Sequence, residues 1–150
     1  MTSKASIDDF LSQQTLAVVG VSRKANKFGN AVLKELKAKE YHVLPINPHA
    51  ETINGERCYP SLEALPKPVD GVVIVVPPQQ AEKVVQDAMK VGIKRVWLQQ
   101  GSESKTAIQM CEGNGISVIH GHCILMFAEP MKFFHRSHKW IWQLIGKYPK

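Results

Sequence analysis

The stretch Thr15 to Gly29, TLAVVGVSRKANKFG, restricts the fold more than any other part of the chain. Leu16-Ala17-Val18-Val19 is too brief a run for a helix and is rich in branched apolar residues, which reads as a buried strand. Gly20 stops it, and a small, polar, basic loop follows, Ser22-Arg23-Lys24-Ala25-Asn26-Lys27. A helical pattern begins near Gly29, with Val32, Leu33 and Leu36 on one face. Strand, glycine turn and helix in that order aim backbone N–H groups at an anion, and the three cations of the loop add to the field. The expectation is a phosphate-binding loop.

The remaining chain repeats the alternation. Ser6 to Gln13 reads as a short leading helix, with Ser6 as its cap and Ile7, Phe10 and Leu11 to dock. The helix after the loop runs from about Asn30 to Lys39 and turns Lys34, Lys37 and Lys39 outward. Tyr41 to Asn47 is a second strand that ends at a turn-forming Asn47-Pro48. Ile53-Asn54-Gly55-Glu56 is a tight turn, and Ser61 to Leu65 is a turn or two of helix capped by Ser61. Asp70 to Val76 is apolar on both faces, as a central parallel strand must be, and Pro77-Pro78 ends it. A helix over Gln80–Val91 closes at Gly92. Strand Ile93–Leu98, helix Ser102–Asn114 and strand Ile116–Ile119 complete the series. Five strands alternating with helices predict an open, mostly parallel five-stranded α/β sheet with helices on both faces. The whole of residues 1–150 reads as one domain, with a helical extension over about 130–147.

Bulk properties exclude little but exclude it clearly. No run approaches the eighteen or so apolar residues of a membrane span, and the N-terminal residues lack a signal peptide's apolar centre. A cytoplasmic protein is the expectation. Three widely spaced cysteines, Cys58, Cys111 and Cys123, argue against a disulfide framework and a CxxC metal site. The net charge of +6 suits a polyanionic ligand, and it suits nucleic acid or a membrane surface equally.

The loop itself narrows the ligand. A dinucleotide fold shows G-x-G-x-x-G after the first strand and an acidic residue after the second, where it bonds the ribose hydroxyls. Here Gly20 is followed by Val21-Ser22 and the next glycine is Gly29; the second strand ends in Ile46-Asn47-Pro48-His49, without a carboxylate. That absence, with Arg23, Lys24 and Lys27 nearby, argues against NAD and leaves room for a phosphorylated ribose. NADP and coenzyme A both carry one.

An ordered series of segments carries a resemblance. Val18-Val19-Gly20-Val21-Ser22, Lys27-Phe28-Gly29-Asn30, Pro45-Ile46-Asn47-Pro48 and Ile53 to Leu62 come first. Val75-Val76-Pro77-Pro78, Val96 to Gly101 and Gly121-His122-Cys123 follow. Together they resemble the small stand-alone CoA-binding proteins, whose domain is similar to the N-terminal domain of the succinyl-CoA synthetase α-subunit. The resemblance covers roughly Ile7 to Leu125. It implies a Rossmann-like domain that binds coenzyme A or a short acyl-CoA and is non-catalytic by itself. By that resemblance Gly20, Val21, Ser22 and Arg23 cradle phosphates, and Phe28-Gly29 finishes the turn. Asn47, Pro48 and His49 line the adenosine side; Val76, Pro77 and Pro78 lie along the ligand; Gln99, Gln100 and Gly101 lie along the pantetheine side. Lys24 and Lys27 are expected to meet phosphates.

Other constellations are weaker. His120-Gly121-His122-Cys123 lacks the third and fourth ligands of a zinc site and reads as a turn, so no metal is expected. His135 and His138 share a helix face without a partnering carboxylate. Cys58, a loop thiol in this reading, is a candidate for a mixed disulfide with coenzyme A. Met126 to Lys150 interleaves Phe133, Phe134, Trp140 and Trp142 with basic residues. It is expected to pack on the sheet, to form a homodimer contact, or to meet a protein partner or membrane surface. The rival functions are an NADP-dependent oxidoreductase or other nucleotide-binding enzyme, and a basic nucleic-acid module. No RNP, KH or helix-turn-helix pattern supports the last.

Overall fold

The computed structural model describes residues 3–24, 27–53 and 55–128. The expected C-terminal helix over about 130–147, with His135 and His138, lies outside the described residues. The chain runs through helix α1 (Lys4–Leu11), strand β1 (Thr15–Val19), helix α2 (Phe28–Ala38) and strand β2 (His42–Ile46). A two-stranded hairpin follows, β3 (Thr52–Ile53) with β4 (Glu56–Arg57), and then a single 3-10 turn at Leu62–Ala64. Next come β5 (Gly71–Ile74), α3 (Pro78–Lys90), β6 (Arg95–Leu98), α4 (Lys105–Gly113), β7 (Ser117–Ile119) and α5 (Ile124–Ala128).

The main sheet has five strands in the order β2-β1-β5-β6-β7, every pair parallel. Side chains alternate across it, so each apolar strand feeds two cores. Leu16, Val18, Val73, Trp97 and Ile119 face a layer built from α1, α2 and α5. Ala17, Val19, Leu44, Val72, Ile74, Val96 and Leu98 face Ala81, Val85 and Ala88 of α3 and Ala107 and Cys111 of α4. The sequence therefore supplied the right architecture: parallel strands with helices on both faces.

Element boundaries depart from the sequence pattern where local capping outweighs periodicity. Helix α1 is capped by Ser3, whose hydroxyl accepts from the Ser6 N–H, so Ser6 lies inside the helix. Helix α4 starts at Lys105 under Ser104, whose oxygen accepts from Ala107, three residues later than the apolar pattern indicated. Ser61 makes no side-chain cap bond over its single turn. Lys39, expected to face solvent, is only 5% exposed. Its ammonium bonds Glu35 at 3.1 Å, one turn back, which makes its burial tolerable.

Trp97 is the largest fully buried side chain among the described residues. It meets Phe10 edge-on at 5.4 Å and Phe127 at 6.0 Å, and its indole N–H donates to the His122 carbonyl at 3.1 Å. It thus ties α1, the sheet and the turn before α5 together. Trp97→Ala is expected to cost about 3–5 kcal/mol of stability, read as a lower midpoint in urea denaturation.

Candidate functional site

The strand order creates the site. β1 leads through α2 to β2 on one side, and the chain then crosses to β5 on the other side of β1. The connections diverge at the C-terminal ends of β1 and β5 and leave a crevice there, where open α/β sheets take ligands.

Two glycines let the crevice form. Gly20 has φ +123°, and a Cβ there would lie 2.1 Å from the Val75 carbonyl oxygen. A Cβ at Gly29 would lie 2.2 Å from the Gly20 carbonyl oxygen. The first turn of α2 therefore presses directly on the backbone leaving β1, an approach only glycine permits. Lys27 precedes that turn and makes no side-chain cap bond, so the first N–H groups of α2 are left uncapped by side chains beside the crevice.

Two asparagines hold the loop. Asn30, only 6% exposed, accepts from the Ser22 N–H at 2.8 Å and donates to the Ser22 carbonyl at 2.7 Å. Asn47 donates from its amide nitrogen to the Val21 carbonyl at 2.8 Å, and its side-chain oxygen accepts from the His49 N–H at 2.7 Å. The Ser22 hydroxyl accepts from the Lys24 N–H at 3.1 Å. The backbone N–H of Ser22, expected to face a phosphate, is thus already engaged by Asn30.

The resulting cleft has a volume of about 740 Å³. It brings together most of the residues anticipated from sequence: Gly20, Val21, Ser22, Lys27, Phe28 and Gly29 from the loop, then Asn47, Pro48 and His49, then Val76 and Pro77. Phe28 stands 46% exposed at its edge. Arg23 and Lys24 are exposed and do not line it, nor does Pro78, the first residue of α3. Gln99, Gln100 and Gly101 lie elsewhere along the sheet edge. Gln99 is 2% exposed, and its amide oxygen accepts from the Ile124 N–H at 3.0 Å, which fixes the start of α5. Gly101 donates to the Glu103 carboxylate at 2.9 Å, and the same carboxylate accepts from Gly121 at 3.0 Å. These groups bind the two neighbouring loops to each other.

Sequence reading missed the other wall. Gln80, Lys83, Val84 and Asp87 of α3 line the cleft, facing Pro60, Ser61 and Leu62. Their i, i+3, i+4, i+7 spacing on a helix starting at the sheet edge was legible as one face. Lys83 bonds Asp87 at 2.6 Å, and that hydrogen bond raises the ammonium's pKa above the ordinary lysine value.

Two of the three thiols are enclosed. Cys58, assigned to an accessible loop by sequence, is 4% exposed, and burial pushes its pKa up. Burial pushes Cys111 up to about 11. Cys123 is half-buried. Among the described residues, no group of three or more His, Cys, Asp or Glu side chains is placed to hold a metal. No helix among them is long and apolar enough to cross a membrane.

Fold and cleft together define an open parallel α/β domain of Rossmann-like form, with a crevice at its topological switch point. The chain belongs to the CoA binding domain family, whose pattern its sequence matches over residues 14–129. It is 29% identical over 123 residues to the Bacillus subtilis protein YneT, covering 81% of this chain and 91% of that protein. It is 27% identical over 123 residues to the ADP-forming acetate–CoA ligase I of Archaeoglobus fulgidus, covering 75% of this chain. That match takes in only 18% of the ligase, so the chain spans a small part of that relative. Among solved structures, a conserved hypothetical protein from Pyrococcus furiosus is similar at TM-score 0.72 and 40% identity, over 75% of this chain and 97% of that one.

Two measurements test this geometry. Asn30→Ala leaves both backbone groups of Ser22 without their partner, and a loss of about 1–3 kcal/mol is expected in urea denaturation. Timed alkylation followed by peptide mass spectrometry is expected to label Cys123 first, with Cys58 and Cys111 reacting only as the protein unfolds.

Proposed function

We propose that this chain binds coenzyme A, or a short acyl-CoA, in the cleft at the C-terminal edge of the sheet, and that it supplies binding rather than chemistry. The observation that carries this reading is the glycine-permitted contact between α2 and the end of β1. It sets an uncapped helix N-terminus beside a loop fixed by Asn30 and Asn47. Backbone N–H groups and the helix dipole at such a place favour a phosphate. Lys27 lines the same cleft and adds a cation; Arg23 and Lys24 add long-range attraction from just outside it. The pyrophosphate of the ligand is assigned to Gly20, Val21, Phe28 and Gly29. Its adenosine is assigned to the space between Asn47-Pro48-His49 and Val76-Pro77, with α3 as a wall. Pro78 shapes the start of that wall. The pantetheine arm runs toward the loop Gln99-Gln100-Gly101, where Gln100 is the exposed side chain.

A binding role fits the two enclosed thiols, Cys58 and Cys111, whose pKa values burial pushes up. The A. fulgidus acetate–CoA ligase that shares this domain is far longer. Its domain here stands as a ligand-holding unit, and the ligase reaction is not carried over to this chain. The end of β2 offers no carboxylate to bond a ribose hydroxyl pair, which favours a phosphorylated adenosine ribose over NAD.

Titration calorimetry with coenzyme A and NADP side by side tests the reading. Coenzyme A is expected to bind, to weaken as salt rises from low to moderate ionic strength, and to weaken about tenfold in Lys27→Ala. NADP binding more tightly than coenzyme A would reverse the assignment in favour of a nucleotide enzyme.

A further inference from the structure

The face that carries α2 and α5 is basic, and apolar side chains stand out from it. Along one side of α2 the exposed positions recur as Lys27 at the cap, Ala31, Lys34 and Ala38, while Val32, Leu33 and Leu36 hold the other side in the core. The exposed Arg23 and Lys24 of the preceding loop extend this row of cations past the start of the helix. Little opposes their charge. Glu35, the one carboxylate of α2, bonds Lys39. Among the described residues no carboxylate pairs with Lys24, Lys27 or Lys34.

Helix α5 packs against α2 on this face. Leu125 and Phe127 pack against the core, and Met126 between them stands 74% exposed. Phe28, in the first turn of α2, is a second large apolar side chain left in water. The exposed positions of α2 offer charge without the amide groups that read bases, since Asn30 is turned inward onto Ser22. Single apolar side chains among cations suit a surface that is both anionic and fluid, which accepts each of them without a preformed recess. The chain leaves α5 and continues in the same composition. Over residues 129–150 the aromatic residues Phe133, Phe134, Trp140 and Trp142 alternate with cations, and Glu129 is the one acidic side chain. Aromatic rings among lysines and arginines favour the membrane–water interface.

We propose that this face docks on an anionic membrane surface. Lys24, Lys27 and Lys34 meet the lipid phosphates, Met126 and Phe28 enter the headgroup layer, and residues 129–150 add interfacial contact. The proposal stands apart from the coenzyme A reading. Lys27 and Phe28 also border the main cleft, so the docked chain holds the mouth of that cleft beside the lipid.

Co-sedimentation of the full chain with phosphatidylcholine vesicles, with and without phosphatidylglycerol, tests it, and thermal melts confirm that each variant is folded. The wild-type chain is expected to bind the phosphatidylglycerol vesicles, to bind pure phosphatidylcholine about tenfold more weakly, and to be released as salt rises. Changing Lys24→Gln and Lys34→Gln together should weaken binding about tenfold, and Met126→Ser about threefold. Equal binding to both vesicles, binding to neither, or undiminished binding by both variants would overturn the proposal. So would a single-stranded oligonucleotide that displaces the chain from the anionic vesicles by binding it more tightly, a result that would assign this face to nucleic acid.

Discussion

Everything about this domain turns on one contact: the backbone of Gly29 against the carbonyl of Gly20. The start of α2 can approach β1 this closely because Gly29 carries no side chain, and the bare Gly20 lets the same turn pass the Val75 carbonyl. A Cβ at either place would fall about 2 Å from a carbonyl oxygen, far inside any tolerable separation. With the contact made, the helix dipole ends at the sheet edge and the chain is sent on to β2. With it broken, α2 would stand off from the sheet, the core shared by Val32, Leu33 and Leu36 would open, and the crevice would lose its floor.

Around that contact the structure invests polar groups in holding loops still. Asn30 and Asn47 immobilise the loop after β1, Gln99 fixes the start of α5, and Glu103 joins the loops after β6 and β7. Each supplies a partner for backbone groups that would otherwise be costly to bury or leave disordered. Loops already ordered at the edge of a cleft matter for any ligand, because ordering the protein at the moment of binding subtracts from affinity. The same logic accounts for the hairpin excursion after β2, closed by backbone bonds at its base and tied to α2 by Lys37 and Glu56. The polar residues of this edge act chiefly on the protein's own backbone, and the surfaces left over face the cleft.

Much of this was legible in the residues. Apolar runs of strand length, punctuated by Gly20, Pro48 and Pro77-Pro78, gave the strands, and the helical stripes between them gave parallel connections. The loop residues from Gly20 to Gly29 and the turn at Asn47-Pro48 stood out because they follow strand ends, where open parallel sheets take ligands. What misled was local. Gln99 resembled an exposed loop amide and is a buried bracket; Cys58 resembled an accessible thiol and is enclosed by the hairpin; Lys39 resembled a solvated cation and lies buried beside Glu35. In each case the residue's environment is made by an element distant in sequence or by a turn whose geometry periodicity does not encode.

By itself the sequence determined the class of fold, the edge of the sheet where the loops after the strands gather, and the family. Those depend on patterning, on glycine placement and on strand ends, which are properties of neighbouring residues. Only the tertiary structure decided which side chains face that edge. It drew Gln80, Lys83 and Asp87 of α3 toward the crevice, and turned Gln99 and Cys58 away from solvent. The reason is that strand order is set by long-range pairing, β5 settling against β1 on the side opposite β2, and no local propensity specifies which strands will pair.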